Sequence, residues 1–234
     1  MESVFRRGAR EGVRDFLPLS VGLVPWAVVT GIAMRSIGLS EIESLGMNLL
    51  VYAGTAQLGT LPLIAAGAPL WLIMLTALAL NLRFIIFSAS IAPLFAGRSG
   101  AERLASSYLL VDGVYAICAE KALKSGDAQW RWGYFIAPSI FNWVMWQLFV
   151  AFGVFGAEFV PHDWSLEFMV TIALMVMVLS MVRTRPMLVA ALAGGLGAVL
   201  LRGLPLRLGV VAGIVIGIGA GFVAERWQQR RGAA

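Results

Sequence analysis

A long apolar run between Leu70 and Phe95 is the feature that most constrains the fold, because a polar triplet, Asn81-Leu82-Arg83, lies near its midpoint. Such a length predicts a membrane-spanning helix, since about 20 apolar residues cross the hydrocarbon core. A central arginine costs roughly 2.5 to 3.5 kcal/mol, but each Leu, Ile or Phe favours insertion by about 0.3 to 0.6 kcal/mol. Ionisable groups at this depth face a bundle interior or a wet cavity. The run therefore predicts a solute pathway.

The composition predicts a single all-α polytopic membrane domain over residues 1–234. Hydrophobic residues make up 59% of the chain and charged residues 13%, against about 25% charged in an average soluble domain. One cysteine and one histidine argue against a disulfide framework and a His-rich metal site, so we expect no metal and no cofactor. The basic residues are dispersed at the ends of apolar runs, which does not indicate nucleic-acid binding.

Hydropathy over windows of about 19 residues predicts eight transmembrane segments. The seventh has only fifteen residues, below the roughly 17 needed to span without distortion. The count falls to seven if this segment is re-entrant or fused with the eighth. The predicted segments are Phe16 to Met34, Ser44 to Ala66, Leu70 to Ala96, Leu104 to Ala119, Trp132 to Phe155, Leu166 to Val182, Met187 to Leu201 and Leu208 to Ala224.

The distribution of charge predicts that both termini are cytoplasmic. With the N-terminus inside and eight crossings, twelve basic residues fall on one side, which follows the positive-inside rule. The five that fall opposite are Arg35, Arg98, Arg103, Arg202 and Arg207. The basic segment 1–15 has apolar residues at helical spacing between its arginines, which indicates an interfacial helix. A disordered basic tail is the alternative, given Gly8 and Gly12.

Internal symmetry is a further prediction from the sequence, because transporters are often built from repeated halves. Pro25-Trp26 in the first segment and Pro138 in the fifth suggest halves at residues 16–121 and 132–226. Four segments per half would make the halves parallel. Chance similarity between apolar segments remains the alternative.

The second predicted segment carries Asn48, Tyr52, Gly54, Thr55 and Gln57. On a regular helix Asn48, Tyr52 and Thr55 share a face, and Gln57 points away from it. The glycines favour a helix that unwinds around Ala53 to Gln57, which would free backbone groups at mid-depth to bind a small zwitterion. The alternative is that glycine here only permits close helix packing.

Asn81 and Arg83 are separated by about 200 degrees on a regular helix, so both face one cavity only if the backbone deforms. We expect Asn81 to line the pathway and Arg83 to be buried with a partner, since it lies too deep to reach an interface. The best partner is Asp112, a carboxylate well inside the fourth segment. An aspartate beside arginine stays ionised as a structural strut, whereas an isolated one could carry a proton. Both roles stay open.

The fifth segment places Ser139, Asn142 and Trp146 on one face. Aromatic and amide side chains together suit a pocket that shields an aliphatic group and holds a polar end. The candidate substrate-binding residues are therefore Tyr52, Gly54, Thr55, Gln57, Asn81 and Asn142.

The last segment carries Gly209, Gly213, Gly217 and Gly221, a glycine at every fourth position. This spacing predicts a helix-packing face. The sequence does not identify the partner helix, which could belong to this chain, a second copy or another protein.

Five features taken in order and spacing resemble the large subunit of AzlC-type branched-chain amino-acid exporters. They are the Pro25-bearing first segment, Gly38-Leu39-Ser40, Ala53-Gly54-Thr55-Ala56-Gln57, Asn81-Leu82-Arg83 and the Asp112 segment. The resemblance is strongest from Pro18 to Asp112. It implies proton-driven export of valine, leucine and isoleucine, with methionine as a further candidate, across the bacterial inner membrane. It also implies a small membrane subunit of the AzlD type as partner.

Three other functions are alternatives to such a carrier. A membrane-embedded assembly or insertion factor would use the glycine face, and a channel would conduct without coupled transport. A membrane enzyme has less support, because the sequence lacks a nucleophile with a base, paired aspartates or a metal cluster. We therefore expect no enzymatic activity.

Overall fold

The computed structural model describes residues 3–159, 175, 182, 184–203 and 208–232. All regular secondary structure within these residues is helical, as the composition predicts. The chain divides into two compact units, residues 1–176 and 177–234. The predicted segment from Leu166 to Val182 lies almost entirely outside the described residues.

Residues 3–159 of the first unit contain eight α-helices, of which two are long and six are short. They are α1 (Val4–Ser36), α2 (Glu41–Leu50), α3 (Gly54–Ala65), α4 (Leu70–Asn81), α5 (Arg83–Ile91), α6 (Gly100–Tyr108), α7 (Asp112–Lys124) and α8 (Ala128–Gly156). Short 3₁₀ turns, Ala92–Phe95 and Ala157–Phe159, follow α5 and α8.

Helices α1 and α8 pack side by side and parallel. A Cβ on Gly8 would lie 2.3 Å from the carbonyl oxygen of Trp130, and a Cβ on Gly31 would lie 2.2 Å from that of Val150. The contacts advance in the same direction along both helices, so the helices are parallel. Glycine is required here because the two backbones touch, as in small-residue packing motifs of membrane helices.

Residues 4–15 are the first turns of α1 rather than a separate helix. Their glycines contact α8, and Asp15 accepts hydrogen bonds from Tyr134 at 2.6 Å and from Lys121 at 2.8 Å. The segment is therefore helical and partly packed. Whether it lies at a membrane interface stays a prediction.

Helices α2 and α3 form a hairpin that enters and leaves at the C-terminal end of α1. Asn48 contacts Gln147 of α8, whereas Tyr52 contacts Asn142, so α2 runs antiparallel to α8. Helix α3 then runs back toward the C-terminal end of α1. Leu58 and Leu61 join a buried cluster with residues 33 and 34 near the end of α1.

A hydrogen bond within this hairpin confirms the reversal. Gln57 Nε2 donates to Asn48 Oδ1 at 3.2 Å, although residues nine apart would be about 13 Å apart along a continuous helix. The predicted spanning helix from Ser44 to Ala66 is therefore wrong. The chain unwinds at residues 51–53, as the broken-helix alternative predicted, and then turns back because Gly54 fits between aromatic rings of α1 and α8.

Helices α4 and α5 run antiparallel to α1 and bend by 40° at their junction, Leu82. Leu80 packs over Gly59 of α3, and further along Phe95 lies edge-on to Phe135 of α8 at 5.4 Å. The pair thus connects the C-terminal end of α1 to the N-terminal end of α8. The predicted helix from Leu70 to Ala96 is present with a break at its polar triplet.

Helices α6 and α7 form a second hairpin, at the other end of the unit. The hairpin begins beside Arg98, whose guanidinium lies 4.5 Å above the ring of Trp132. Its tip reaches the middle of α8, where Trp143 donates to the Tyr108 hydroxyl at 3.1 Å. Helix α7 returns, and Lys121 pairs with Asp15 of α1 at 2.8 Å.

The predicted spanning helix from Leu104 to Ala119 is therefore also wrong. Hydropathy cannot distinguish one long helix from two short ones that fold back, because both bury the same apolar residues. Tyr108 and Asp112 therefore belong to different helices, since the chain is non-helical just before Asp112.

The two hairpins change the placement of charge. Nine of the eleven basic residues in residues 3–159 lie at the end where α1 and α8 begin, called here the basic end. They are Arg6, Arg7, Arg10, Arg14, Arg98, Arg103, Lys121, Lys124 and Arg131. Placing Arg98 and Arg103 opposite to the N-terminus was wrong. Of the eleven in residues 3–159, only Arg35 lies at the opposite end, and Arg83 lies between the ends.

Two described helices are long and apolar enough to cross a membrane, α1 and α8 with its final turn. The bent pair α4–α5 makes a third if it counts as one span. The predicted count of eight is thus not reached in the described residues. The predicted halves at 16–121 and 132–226 and the cytoplasmic termini stay predictions.

The described residues of the second unit form a helical hairpin of α9 (Arg185–Leu200) and α10 (Leu208–Gly232). The predicted glycine face of α10 lies against α9 of the same chain. A Cβ on Gly213 would lie 2.7 Å from the carbonyl oxygen of Gly194, and one on Gly217 would lie 2.9 Å from that of Ala190. An added Cβ on Gly221 would come similarly close to Ala190, and one on Gly209 would come similarly close to the carbonyl oxygen of Leu201.

Candidate functional site

The three helix breaks of the first unit converge halfway between its two ends. Helix α3 begins at Gly54, α5 begins at Arg83 and α7 begins at Asp112. The hairpin tips touch each other, since the Tyr108 hydroxyl donates to the carbonyl oxygen of Leu49. Non-helical backbone at this depth is tolerated only where it is buried or lines a cavity.

Arg83 joins all three breaks. Its Nη2 lies 2.9 Å from Asp112 Oδ2, and the same nitrogen donates to the Thr55 hydroxyl. The guanidinium also lies 5.2 Å from the ring centre of Phe84. The bend at Leu82 turns Arg83 away from the axis of α4, so its side chain reaches the helix N-termini. A guanidinium suits this position because it can donate to several acceptors at once.

A cavity of about 40 Å³ lies beside this ion pair and is called here the site cavity. Its lining comes from α1, the tips of both hairpins, α5 and α8: Leu23, Trp26, Tyr52, Ala53, Gly54, Phe84, Val111, Asp112, Gly113, Asn142 and Trp146. A cavity needs about 10–15 Å³ of such volume to hold one water molecule, so this one has room for only a few. In this conformation the site is therefore contracted.

Two polar atoms of the site cavity have no hydrogen-bond partner among the described residues. They are Trp26 Nε1, a donor, and Asn142 Oδ1, an acceptor. Asn142 is only 3% exposed, and its Nδ2 donates to the Tyr52 hydroxyl at 2.6 Å. Buried polar atoms without partners are costly, so such atoms in a cavity indicate a place for a ligand or water.

Aromatic rings form the apolar wall of the site cavity. Trp26 and Trp146 meet edge-to-face with ring centres 5.0 Å apart. A Cβ on Gly54 would lie 2.7 Å from the Trp146 ring and 3.0 Å from that of Trp26. Glycine at this position therefore lets the start of α3 approach both rings.

A second group of polar side chains lies behind the site cavity and is called here the Asn48 network. Asn48 Oδ1 accepts from Trp146 Nε1 at 3.0 Å and from Gln57 Nε2 at 3.2 Å, and Asn48 Nδ2 donates to Gln147 Oε1 at 2.6 Å. Asn48 and Gln57 are both 0% exposed. Gln57 thus lies in this network and not in the cavity lining.

The predicted binding residues thus fall into two groups. Tyr52, Gly54 and Asn142 line the site cavity, and Thr55 contacts Arg83 at its edge. Asn81 ends α4 outside the lining, and its Oδ1 is buried without a described partner. The substrate-binding role of every one of these residues stays a prediction.

Sequence reasoning missed Trp26 as a site residue. The tryptophan follows Pro25 in the middle of α1, too deep for the interfacial anchoring that is usual for tryptophan. That depth was the signal, as it was for Trp146, which the sequence placed on the same face as Asn142.

The match to the AzlC protein family covers residues 18–160, from α1 to the end of α8, which is more than half of the chain. The chain belongs to the AzlC family. The matched region contains both hairpins, all three helix breaks and every residue that lines the site cavity. The family resemblance that the sequence suggested is confirmed.

Two relatives of this AzlC protein are membrane proteins by name. It is 26% identical over 226 residues to the inner membrane protein YgaZ of Escherichia coli strain K12, which covers 93% of this chain and 91% of YgaZ. It is 30% identical over 113 residues to an uncharacterized membrane protein of Archaeoglobus fulgidus, which covers 48% of this chain and 49% of that protein. No solved structure matches it.

Family, relatives and apolar helices together identify an AzlC-family membrane protein, consistent with a role in membrane transport. The names of these relatives specify no substrate. The substrate, the driving force and the partner therefore belong to a proposal.

Proposed function

We propose that this protein exports branched-chain amino acids from the cytoplasm across the bacterial inner membrane. The observation that carries the proposal is the ion pair of Arg83 and Asp112 beside an aromatic cavity at the meeting point of three helix breaks. Charges held at such depth mark solute pathways. Valine, leucine and isoleucine are the proposed substrates, and methionine is a further candidate.

The site offers complementary groups for a zwitterion. A carboxylate would be bound by the start of α3 at Gly54, where helix N–H groups lack partners, with help from Arg83 and Trp26 Nε1. An ammonium group would be bound by Asp112 and by the free Asn142 Oδ1. Amino-acid transporters with discontinuous helices use half-helix N-termini in this way.

The aromatic wall supports an aliphatic side chain on the substrate. Tryptophan rings bury a compact branched group without demanding a hydrogen bond. A leucine is several times larger than the contracted cavity of about 40 Å³. Binding therefore requires the hairpin tips to separate from the Trp26 and Trp146 rings, which is expected of a carrier that opens and closes.

The distribution of charge supports the proposed orientation of the chain in the membrane. Within residues 3–159 nine basic residues lie at one end and one at the other, which by the positive-inside rule favours a cytoplasmic N-terminus. We propose that the proton motive force drives transport, with Asp112 as strut or proton carrier, and that a small AzlD-type membrane subunit acts with this chain. The driving force and the small subunit rest on the family resemblance.

The test is counterflow of labelled leucine in proteoliposomes that contain the chain with its small subunit. Asn142→Ala should reduce counterflow at least about tenfold, because one hydrogen bond to a charged group contributes roughly 1.5–3 kcal/mol. Asp112→Asn should also abolish counterflow if the carboxylate binds the ammonium. Retained counterflow with lost pH-driven export would instead make Asp112 the proton carrier.

Each variant has a control of the same chemistry outside the site. Gln129→Ala removes an exposed amide at the start of α8, and Glu120→Gln neutralises an exposed carboxylate on α7. Both controls should transport normally. Undiminished counterflow by Asn142→Ala and Asp112→Asn together would refute the site, and a lack of trans-stimulation in the unmodified protein would favour a channel.

A further inference from the structure

The two hairpins carry the same sequence pattern, 59 residues apart. The identical pairs are Gly38 and Gly97, Ser40 and Ser99, Glu43 and Glu102, Leu45 and Leu104, Leu50 and Leu109, and Gly54 and Gly113. Each hairpin begins with a glycine at positive φ, +92° for Gly38 and +79° for Gly97. Each first helix then starts with a capping box in which serine and glutamate exchange hydrogen bonds.

The repeated elements point in opposite directions. Helix α1 leads into the hairpin α2–α3 at the end opposite to the basic end. The antiparallel pair α4–α5 leads into the hairpin α6–α7 at the basic end. The unit of long helix plus hairpin therefore occurs twice with inverted orientation, an arrangement that transporters use to alternate access to a central site.

A pocket of about 240 Å³ lies beside the second hairpin, between α5 and α6. Ser88, Arg103, Ser106 and Ser107 provide its polar lining. The pocket reaches inward to Leu110, and the next two residues, Val111 and Asp112, already line the site cavity. The break between α6 and α7 thus separates the pocket from the site.

The corresponding face of the first hairpin is closed. Arg103 and Ser107, both exposed, correspond to Ser44 and Asn48, which are 0% exposed. The Asn48 network ties α2 to α8 through Gln147. The two repeats therefore differ in conformation: the first is packed against α8 and the second leaves polar space beside it.

We infer that the two hairpins are opposite gates, and that the pocket between α5 and α6 is the entrance to the site cavity from the basic end. The inference rests on the proposed transport function and specifies its route. The structure is then closed at the first gate and open at the second. In the alternate state the Asn48 network would break, the first hairpin would separate from α8, and the second would pack against α5.

Cysteine labelling of the complex in oriented membrane vesicles tests the gates. The one native cysteine, Cys118, is buried and is first replaced in Cys118→Ser. In that background Ser107→Cys should react with a membrane-impermeant maleimide applied at the basic end. Ser44→Cys, the same substitution on the first hairpin, should react at least about tenfold more slowly from either side, because its open state is the minor one.

Adding Gln147→Leu removes one of the two α8 side chains that bind the Asn48 side chain, the other being Trp146. Ser44→Cys should then become reactive from the end opposite to the basic end, while Ser107→Cys loses reactivity. Size-exclusion profiles verify folding, and the comparison of the two single-cysteine chains is informative even if Gln147→Leu does not fold. Reaction of Ser107→Cys from the opposite end, or only with a lipid-soluble maleimide, overturns the inference and makes the pocket a lipid or subunit contact.

Labelling does not need transport, so the two proposals fail separately. If the labelling pattern is as expected but leucine neither moves nor slows the labelling of Ser107→Cys, the gates stand and the substrate assignment is wrong. If leucine is transported while Ser44→Cys and Ser107→Cys react equally, the export function stands and the gate assignment is wrong.

Discussion

The first unit contains two kinds of helix, and their contacts differ in kind. Helices α1 and α8 are continuous over 33 and 29 residues and touch backbone to backbone at their glycines. The helices between them are short, 9 to 13 residues, and meet each other through side chains at the three breaks. The continuous pair therefore provides a rigid frame, and the interrupted helices provide a polar centre.

Glycine shows the difference most directly. A Cβ on Gly153 of α8 would lie 2.0 Å from a backbone carbonyl oxygen of α1, which cannot move without the helix. A Cβ on Gly54 at the start of α3 would meet two tryptophan rings, which can rotate. The same residue type thus fixes a helix distance in the frame and shapes a cavity wall at the centre.

The largest effect is expected in the frame. Gly153→Ala should push α1 and α8 apart and cost about 1–3 kcal/mol or more, the range for overpacked cores. A lower melting temperature in detergent and a loss of monodisperse protein on size exclusion would show this. Gly156→Ala, three residues further along α8, is the control because nothing lies within 4 Å of its Cβ position. Equal melting temperatures for both variants would contradict the close backbone packing.

A smaller loss of stability, but a complete loss of activity, is expected at the centre. Gly54→Ala places a methyl group against the Trp146 and Trp26 rings, which can shift at the expense of the site cavity. The variant should fold with a melting temperature nearer to that of the unmodified protein than Gly153→Ala. It should fail in leucine counterflow.

The control for this variant is Gly46→Ala on α2, where nothing lies within 4 Å of the added methyl group. It should retain both stability and counterflow. If Gly54→Ala transports normally, the cavity between the rings is not the substrate site, and the contrast between frame and centre has no functional meaning.

The frame could be predicted well from the sequence, because hydropathy responds to long apolar helices. The segments from Phe16 to Met34 and from Trp132 to Phe155 fall within α1 and α8. The two hairpins were mistaken for spans because each has the apolar content of one helix. The repeated Gly-x-Ser-x-x-Glu pattern at residues 38–43 and 97–102 was the missing signal, since it marks two equivalent helix starts.

The centre could be predicted only in part. Arg83 and Asp112 were paired because a buried guanidinium needs a carboxylate. The structure brings them to 2.9 Å but leaves their side chains 33% and 43% exposed, so the expected burial is only partial. The place of Gln57 could not be predicted, because assigning it to the cavity or to the Asn48 network requires the path of the chain after the break. Charge counting placed Arg98 and Arg103 on the wrong side for the same reason, since each unrecognised hairpin adds one false crossing.

The smallest effect is expected where the first hairpin begins. Hydrogen bonds from the Ser40 side chain and backbone hold the pKa of Glu43 below its ordinary value of 4.5. A lowered pKa stabilises the fold above pH 4.5 and loses that contribution as the pH falls below it. Ser40→Ala should therefore lower the melting temperature by a few degrees at pH 7 and by less at pH 4. The control is Ser36→Ala, because the Ser36 hydroxyl donates only to a carbonyl oxygen within α1, and this variant should show no such pH dependence. The same result for Ser99→Ala, with Glu102 as the capping carboxylate, would show that both inverted hairpins begin with an equivalent capping box. A large loss of melting temperature in either variant would mean that these helix starts belong to the frame.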